Sequence, residues 1–569
     1  MSELNLDLLL SPISSLPDSQ QSFASIRRQG RIYVDKTAFV YALAFNNNPR
    51  FLSRPRRFGK STLLSTLQEL FEHGVKGYDG HDSYFRDLVI ERYWKEDKHY
   101  PVLCLSFADI NYECTTAADF KQRFIRALDE KAKALGIVIP EDLPTPSERF
   151  KYLVRQFEDG SLVLLVDEYD APLTYRIEAP EEEYNAVVQT LRGFYGVIKE
   201  QGHKFRCVFI TGITRYKDSA LFTAGDAVED ISQDPRFGEI CGYTRAEIKQ
   251  SFYPQLCLSA SKVLGKTVAG ISPQDVEKLL DILTEWYDGY CFDSAGATHV
   301  FSTWSVLKFL GDPLGSLDSY WYKSGGQPKI LQRAFFSGDL VQTLSEIVDG
   351  NLSVPLSAFV NPQSLQSMDR RVLLFQTGYL TLAEAYRGPG DTFADVNRVK
   401  LKFPNREAEV SFKHLLSDYL FSASKGGEDI FRTYQEWFLK ALTARNADAL
   451  MQVFNVVINS VDCFHFPIKE ESMLAAILGI FMLCCGVEVN VGEHQARGIV
   501  DTRVRYDRTH LILEYKFVRR GEKPATRLQQ AVQQICDRRY GETLKNVNSW
   551  RVAAVYAEEE RSIVLWQEI

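Results

Sequence analysis

The stretch "FLSRPRRFGKSTLLSTLQELFE", Phe51 to Glu72, decides how the first half of the chain is read. A short apolar run enters a basic loop, and the loop closes on Gly59, Lys60, Ser61 and Thr62 at the start of an amphipathic helical pattern. Phosphate binding calls for backbone N–H groups aimed at the anion, a helix N-terminus whose dipole favours negative charge, a lysine, and a hydroxyl for magnesium. Gly59 to Thr62 supply those parts, and "PRFLSR" supplies a strand in front of them. Arg54 stands where a glycine usually opens such a loop, so the pattern alone is a weak match and needs independent support.

That support comes from two later apolar runs. "SLVLLVDEYD" ends in paired acids, with Asp167 placed to hold magnesium through water or Ser61 and Glu168 to orient an attacking water. "FRCVFITGITR" ends in Thr211, Thr214 and Arg215, groups suited to sensing a γ-phosphate. With "PVLCLSF" these runs alternate with amphipathic patterns such as "ADFKQRFIRALDEKAKAL", which predicts a parallel sheet covered by helices, an α/β domain.

At 569 residues the chain is expected to form about three or four units. Its formal net charge of -8 excludes global attraction to nucleic acid, so any such contact must be a local patch. Ten scattered cysteines without a CxxC pair, and nine histidines without HExxH, point to buried thiols in a reducing compartment and away from a disulfide or zinc framework. The N-terminus shows no basic leader, so a cytoplasmic protein is expected. The longest uncharged apolar run, Ser472 to Val487, reads as a buried core helix, and no membrane partner is expected.

Six stretches in order, "YVDKTAFVYAL", "FLSRPRRFGKSTLL", "LLVDEYDAPL", "FITGITR", "DPRFGEICGYT" and "WYDGYCF", resemble the AAA-ATPase-like family of bacteria and some fungi, whose loop also reads RPRRFGKS. The resemblance covers roughly Ser22 to Leu310. It implies ATP and Mg²⁺ as cofactors, makes Arg54 the family's own form of the loop, and offers Arg56 and Arg57 as added phosphate contacts. It also implies a possible homo-oligomer, because many ATPases of this broad class complete their site with a neighbour's arginine. The expected organisation is a P-loop domain over 1–243, a helical lid over 244–325, a helical and winged-helix-like region over 326–445, and a last α/β domain over 446–569.

In that last domain "RGIVDTRVRYDRTHLILEYKF" puts Asp501 on one strand and Glu514 and Lys516 at i and i+2 on the next, so the latter two share a face. Paired carboxylates with a lysine suit Mg²⁺-assisted phosphodiester cleavage. If the strands form a hairpin, Asp501 approaches Glu514 across the sheet. From about Pro467 to Ile569 this arrangement resembles the PD-(D/E)XK nuclease superfamily, in particular the nuclease module found C-terminal to this kind of ATPase. The resemblance implies an additional acid at Glu470 or Glu471, and a helical glutamine and aromatic at Gln534 and Tyr540. Ten arginines and lysines besides Lys516 lie between Arg497 and Arg539, as a phosphate-tracking patch requires, and nucleic acid, with DNA favoured over RNA, is the expected partner. The competing reading is a nucleotide-switched module that binds nucleic acid or protein without cleavage.

Overall fold

The computed structural model describes residues 15–18, 21–177, 179–216, 228–312, 315–324, 331, 352–365, 367–386, 397–421, 427–461, 468–495, 498–507, 509–540 and 549–569. They belong to two compact units, Met1–Arg333 with Ser353–Glu409, and Ala334–Leu352 with Val410–Ile569. The segment read from sequence as 326–445 is therefore divided between both units.

In the first unit the apolar runs pair side by side. Strands β1 (Arg50–Ser53), β2 (Val102–Ser106), β3 (Leu162–Asp167), β4 (Phe205–Gly212) and β5 (Glu229–Asp230) form a five-stranded sheet in the order β2-β3-β4-β1-β5. Every neighbouring pair is parallel. β4 is buried along its whole length and β3 up to Asp167, which explains their continuous rather than alternating hydrophobicity. The register sets Ser53 beside Gly212 and Val166 beside Ile210, so β1, β4 and β3 end at one level. Reciprocal capping boxes at Thr116/Asp119 and Thr145/Glu148 start two of the helices between the strands, Ala117–Ala134 and Pro146–Arg155.

Beyond β5, helices Arg245–Ser251, Tyr253–Val263, Pro273–Tyr287 and Thr303–Gly311 bury Ile248, Leu256, Leu280 and Phe309 in one cluster. The chain then forms β6 (Ser353–Pro355), helix Arg370–Thr377, β7 (Thr381–Leu382) and β8 (Arg398–Lys402), with the strands antiparallel in the order β6-β8-β7. Gly378 takes φ +94° and ends the helix, a conformation that glycine adopts without strain.

The second unit carries a mixed sheet in the order β13-β12-β11-β10-β9. β9 (Glu488–Gln495), β10 (Gly498–Tyr506) and β11 (Thr509–Val518) form an antiparallel meander. β12 (Ser549–Ala557) pairs parallel to β11, with helix Pro524–Arg538 in the intervening crossover, and β13 (Ser562–Glu568) closes the edge. The long apolar run is helix Glu471–Cys484, buried from Leu474 through Met482. Among the described residues no helix is long and apolar enough to cross a membrane, and the described cysteines are all free.

A buried acid holds the helical part of the first unit together. Glu407 is fully buried; its carboxylate accepts from the Ser305 hydroxyl at 2.6 Å and from the Trp321 backbone N–H at 2.9 Å. Burial pushes its pKa from 4.5 up to about 8, against the pull of those two hydrogen bonds. The folded chain thus holds this proton more tightly than the unfolded chain. Its contribution to stability is full below about pH 4.5 and is lost as pH rises to about 8. Glu407→Gln, isosteric with the protonated acid, removes that dependence. Thermal melts at stepped pH are expected to show the variant gaining on wild type as pH rises from 5 to 8, by roughly 2–4 °C per kcal/mol. A constant gap between the two melting curves would contradict the assignment.

Candidate nucleotide and carboxylate sites

The loop after β1 turns into helix Lys60–His73 through Gly59 at φ +92°, a left-handed position that favours glycine. Helix entry there leaves the first N–H groups without intrahelical partners. The Lys60 ammonium is buried and curls back over the loop, donating to the carbonyls of Arg54 and Pro55 at 2.9 Å each. Burial lowers its pKa, and the nearby charges of Asp167 and Glu168 oppose that shift.

At the ends of β3 and β4 the predicted groups meet. Asp167 accepts from the Ser61 hydroxyl at 2.6 Å on one oxygen and from the Thr211 hydroxyl on the other. A hydroxyl and a carboxylate in contact form a donor set that suits Mg²⁺. Glu168 follows at φ +51°, with its backbone N–H on Asp167 at 3.0 Å; burial first, and then the Asp167 charge, push its pKa up. Asp170, which sequence reasoning missed, is buried and braces the next turn. Its carboxylate accepts from the Thr214 backbone N–H at 2.7 Å and from the Thr214 hydroxyl at 2.5 Å. Beside the loop opens a cavity bordered by Ile32, Tyr33, Gly59, Thr62, Tyr243 and Leu307.

The arginines of the loop have separate surroundings. Arg54 is buried and points into the protein, where its guanidinium donates to the carbonyls of Ser53, Ser232 and Phe237 at 2.8, 2.7 and 3.1 Å and lies 4.6 Å from the Phe292 ring centre. Its backbone is not among the residues at positive φ, so this position has no need of glycine. Burial lowers its pKa to about 10. Arg57, at φ +69°, lies over the Trp304 ring at 4.3 Å, and its carbonyl accepts from the Thr303 hydroxyl. The Arg56 carbonyl accepts from Trp321 Nε1 at 3.2 Å, and the Arg56 charge acts on Glu168. Arg215 is gathered with other partners: its guanidinium meets Asp230 and the Val360 carbonyl.

In the second unit Asp501 on β10 and Glu514 and Lys516 on β11 come together through the hairpin, whose register pairs Thr502 with Leu513. Asp501 accepts from the Tyr515 N–H at 2.7 Å. Glu514 is fully buried; one oxygen accepts from Lys516 Nζ at 2.8 Å, and the other has no hydrogen-bond partner. Burial and then the Asp501 charge push the Glu514 pKa up to about 7, against the nearby Lys516. Burial also raises that of Asp501, with Glu471 adding to the effect. Glu471 joins the group from helix Glu471–Cys484 and accepts from the Phe517 N–H at 3.1 Å. Gln534, on the crossover helix, donates to the Tyr540 hydroxyl at 3.4 Å, and Arg538 donates to the same oxygen at 3.1 Å.

Among the described residues no group of three or more His, Cys, Asp or Glu is placed to hold a metal ion. A buried, unpartnered carboxylate oxygen beside a second carboxylate nonetheless fits a cation as its missing partner. In the basic patch, Arg505, Arg520 and Arg527 pair with Glu488, Glu559 and Glu522. Arg497 and Arg508 lie outside the described residues.

Residues 17–222 match the model of a family described as a predicted AAA-ATPase. The match contains the loop, Asp167, Glu168, Thr211 and Arg215, and it supports ATP as the ligand of the loop and ATPase as the activity of the first unit. It stops short of the carboxylate group of the second unit. The chain is also 27% identical over 540 residues to an uncharacterized protein in the vnfD 5′ region of Azotobacter chroococcum mcd 1, covering 93% of each chain.

Arg54 gives a test of how this loop is built. Arg54→Met removes the guanidinium donor from three carbonyls, of which that of Phe237 keeps the Ile240 N–H, and is expected to cost about 3 kcal/mol of stability, read as a lower denaturation midpoint. Its folded fraction is expected to bind ATP within about threefold of wild type. Loss of ATP binding at unchanged stability would instead place Arg54 on the phosphates.

Proposed function

We propose that the protein is an ATP-gated nuclease, in which nucleotide held by the first unit licenses Mg²⁺-dependent phosphodiester hydrolysis by the second. The observation that carries the nuclease half is the buried Glu514 carboxylate, with one oxygen on Lys516 and the other unpartnered, beside Asp501. The hairpin presents the residues, Asp501, Glu514 and Lys516, whose sequence pattern resembles the PD-(D/E)XK superfamily.

In the first unit, Lys60 exchanges its two loop carbonyls for the β- and γ-phosphates of ATP. Ser61 and Asp167 would hold Mg²⁺, Glu168 would orient the attacking water, and the cavity by Thr62 and Tyr243 would take the nucleoside. In the second unit, Asp501 and Glu514 would hold Mg²⁺, which when bound would supply a Lewis acid for the scissile phosphate. Lys516 orients the water that attacks phosphorus and stabilises the charge developing there. Glu471 borders the same group, and Gln534 on the crossover helix would support it through the Tyr540 hydroxyl. The basic residues between Arg503 and Arg539 supply backbone contacts to DNA, the favoured substrate. Genome defence or mobile-element processing is a setting that fits such an activity.

The test is cleavage of a mixed DNA and RNA panel with Mg²⁺ or Mn²⁺, with and without ATP. Glu514→Ala and Lys516→Ala are expected to lose cleavage by about 100-fold or more. Lys60→Ala is expected to keep the nuclease site but lose its response to ATP. Absence of cleavage by wild type under every nucleotide and metal condition, with ATP turnover intact, would replace this reading with a nucleotide-switched binding module.

A further inference from the structure

The stretch "LLFQTGYL" sits outside both sites by sequence, yet its turn is fastened to the nucleotide site at two points. Gln376, in the last turn of helix Arg370–Thr377, is buried and brackets one residue: its side-chain carbonyl accepts from the Arg215 backbone N–H at 2.9 Å, and its amide donates to the Arg215 carbonyl at 3.0 Å. Such a two-bond clasp fixes backbone as a rung of sheet does. Arg215 continues the turn whose other members, Thr211 and Thr214, are held by Asp167 and Asp170. The turn between the acids of β3 and helix Arg370–Thr377 is therefore gripped from both sides.

The second point of contact is the phosphate loop itself. Gly378 lies so close to Pro55 that a Cβ there would stand 2.8 Å from the Pro55 Cβ. Pro55 is one of the two residues whose carbonyls hold Lys60. Next in the chain, Tyr379 packs edge-on against Trp321 with ring centres 5.0 Å apart, and Trp321 Nε1 donates to the Arg56 carbonyl. One turn of five residues, Phe375 to Tyr379, thus touches both the loop that would cradle the phosphates and the turn at the end of β4.

We infer that Gln376 is a positioning residue for ATP hydrolysis, which holds the Thr211–Arg215 turn in register with Asp167 through the Arg215 backbone. The inference rests on the ATPase reading of the first unit. Gln376 touches no phosphate in this account, so its removal misplaces the turn while the loop that supplies nucleotide affinity stays intact. Small misplacements of this kind cost rate more than binding.

The experiment compares wild type with Gln376→Met, which keeps the side-chain volume and loses both hydrogen bonds, and Gln376→Glu, which keeps the acceptor for the Arg215 N–H and loses the donor. ATP turnover, ATP affinity and melting temperature are measured on the full chain. The expected result is a kcat about tenfold or more lower in Gln376→Met and less reduced in Gln376→Glu, with Kd for ATP within about threefold of wild type. Wild-type kcat in the folded variants, or in Gln376→Glu alone if Gln376→Met does not fold, would overturn the inference and leave Gln376 a structural clasp, even with a lowered melting temperature. A wild-type protein that hydrolyses no ATP would overturn the ATPase reading itself, and this inference with it.

Discussion

Both oxygens of the Asp167 carboxylate are engaged, one by the Ser61 hydroxyl from the phosphate loop and the other by the Thr211 hydroxyl from β4. The first unit is organised around that constraint. β4 lies between β1 and β3, so the strand carrying Thr211 separates the strand that feeds the loop from the strand that carries the acids. Parallel pairing in register brings all three ends to one level. The sheet therefore does more than support the site, because its strand order determines which side chains can meet there.

The same logic of strand ends and strand faces operates differently in the second unit. There the proposed chemistry sits within an antiparallel hairpin, where period two puts Glu514 and Lys516 on one face and the neighbouring strand brings Asp501 beside them. Burial raises the cost of charge on Glu514, and Asp501 raises it further, while Lys516 offsets part of the effect. Two carboxylates forced together with an unpartnered oxygen are costly for an apo fold unless a ligand repays the arrangement. This is the physical ground for assigning chemistry to the group.

Much of this was legible in the sequence, because burial leaves a direct mark on composition. β3 and β4 are continuous apolar runs, and the acids and threonines that end them fall where the buried run meets the site. β5 is two residues long and could not be read by periodicity, although Asp230 on it receives Arg215. The direction of a side chain was equally hidden. Arg54 reads as a loop cation, but its three carbonyl acceptors lie in the interior, two of them about 180 residues along the chain. Asp170, Glu407 and Gln376 were missed for the same reason, since a polar residue whose partners are distant backbone groups leaves no local pattern. The apolar helix and the Gly378 turn after it are legible in "RRVLLFQTGYLTL", whereas the partner of Gln376 is not.

The buried Lys60 ammonium, held by the carbonyls of its own loop, is the proposed anchor for ATP. A calorimetric titration of ATP with Mg²⁺ into wild type and a folded Lys60→Met variant tests it most directly. The expected Kd is at least about tenfold weaker in the variant, a loss of about 1.4 kcal/mol or more. Equal affinity in the two proteins would contradict it, and would mean that the loop between Arg54 and Thr62 is not where ATP binds.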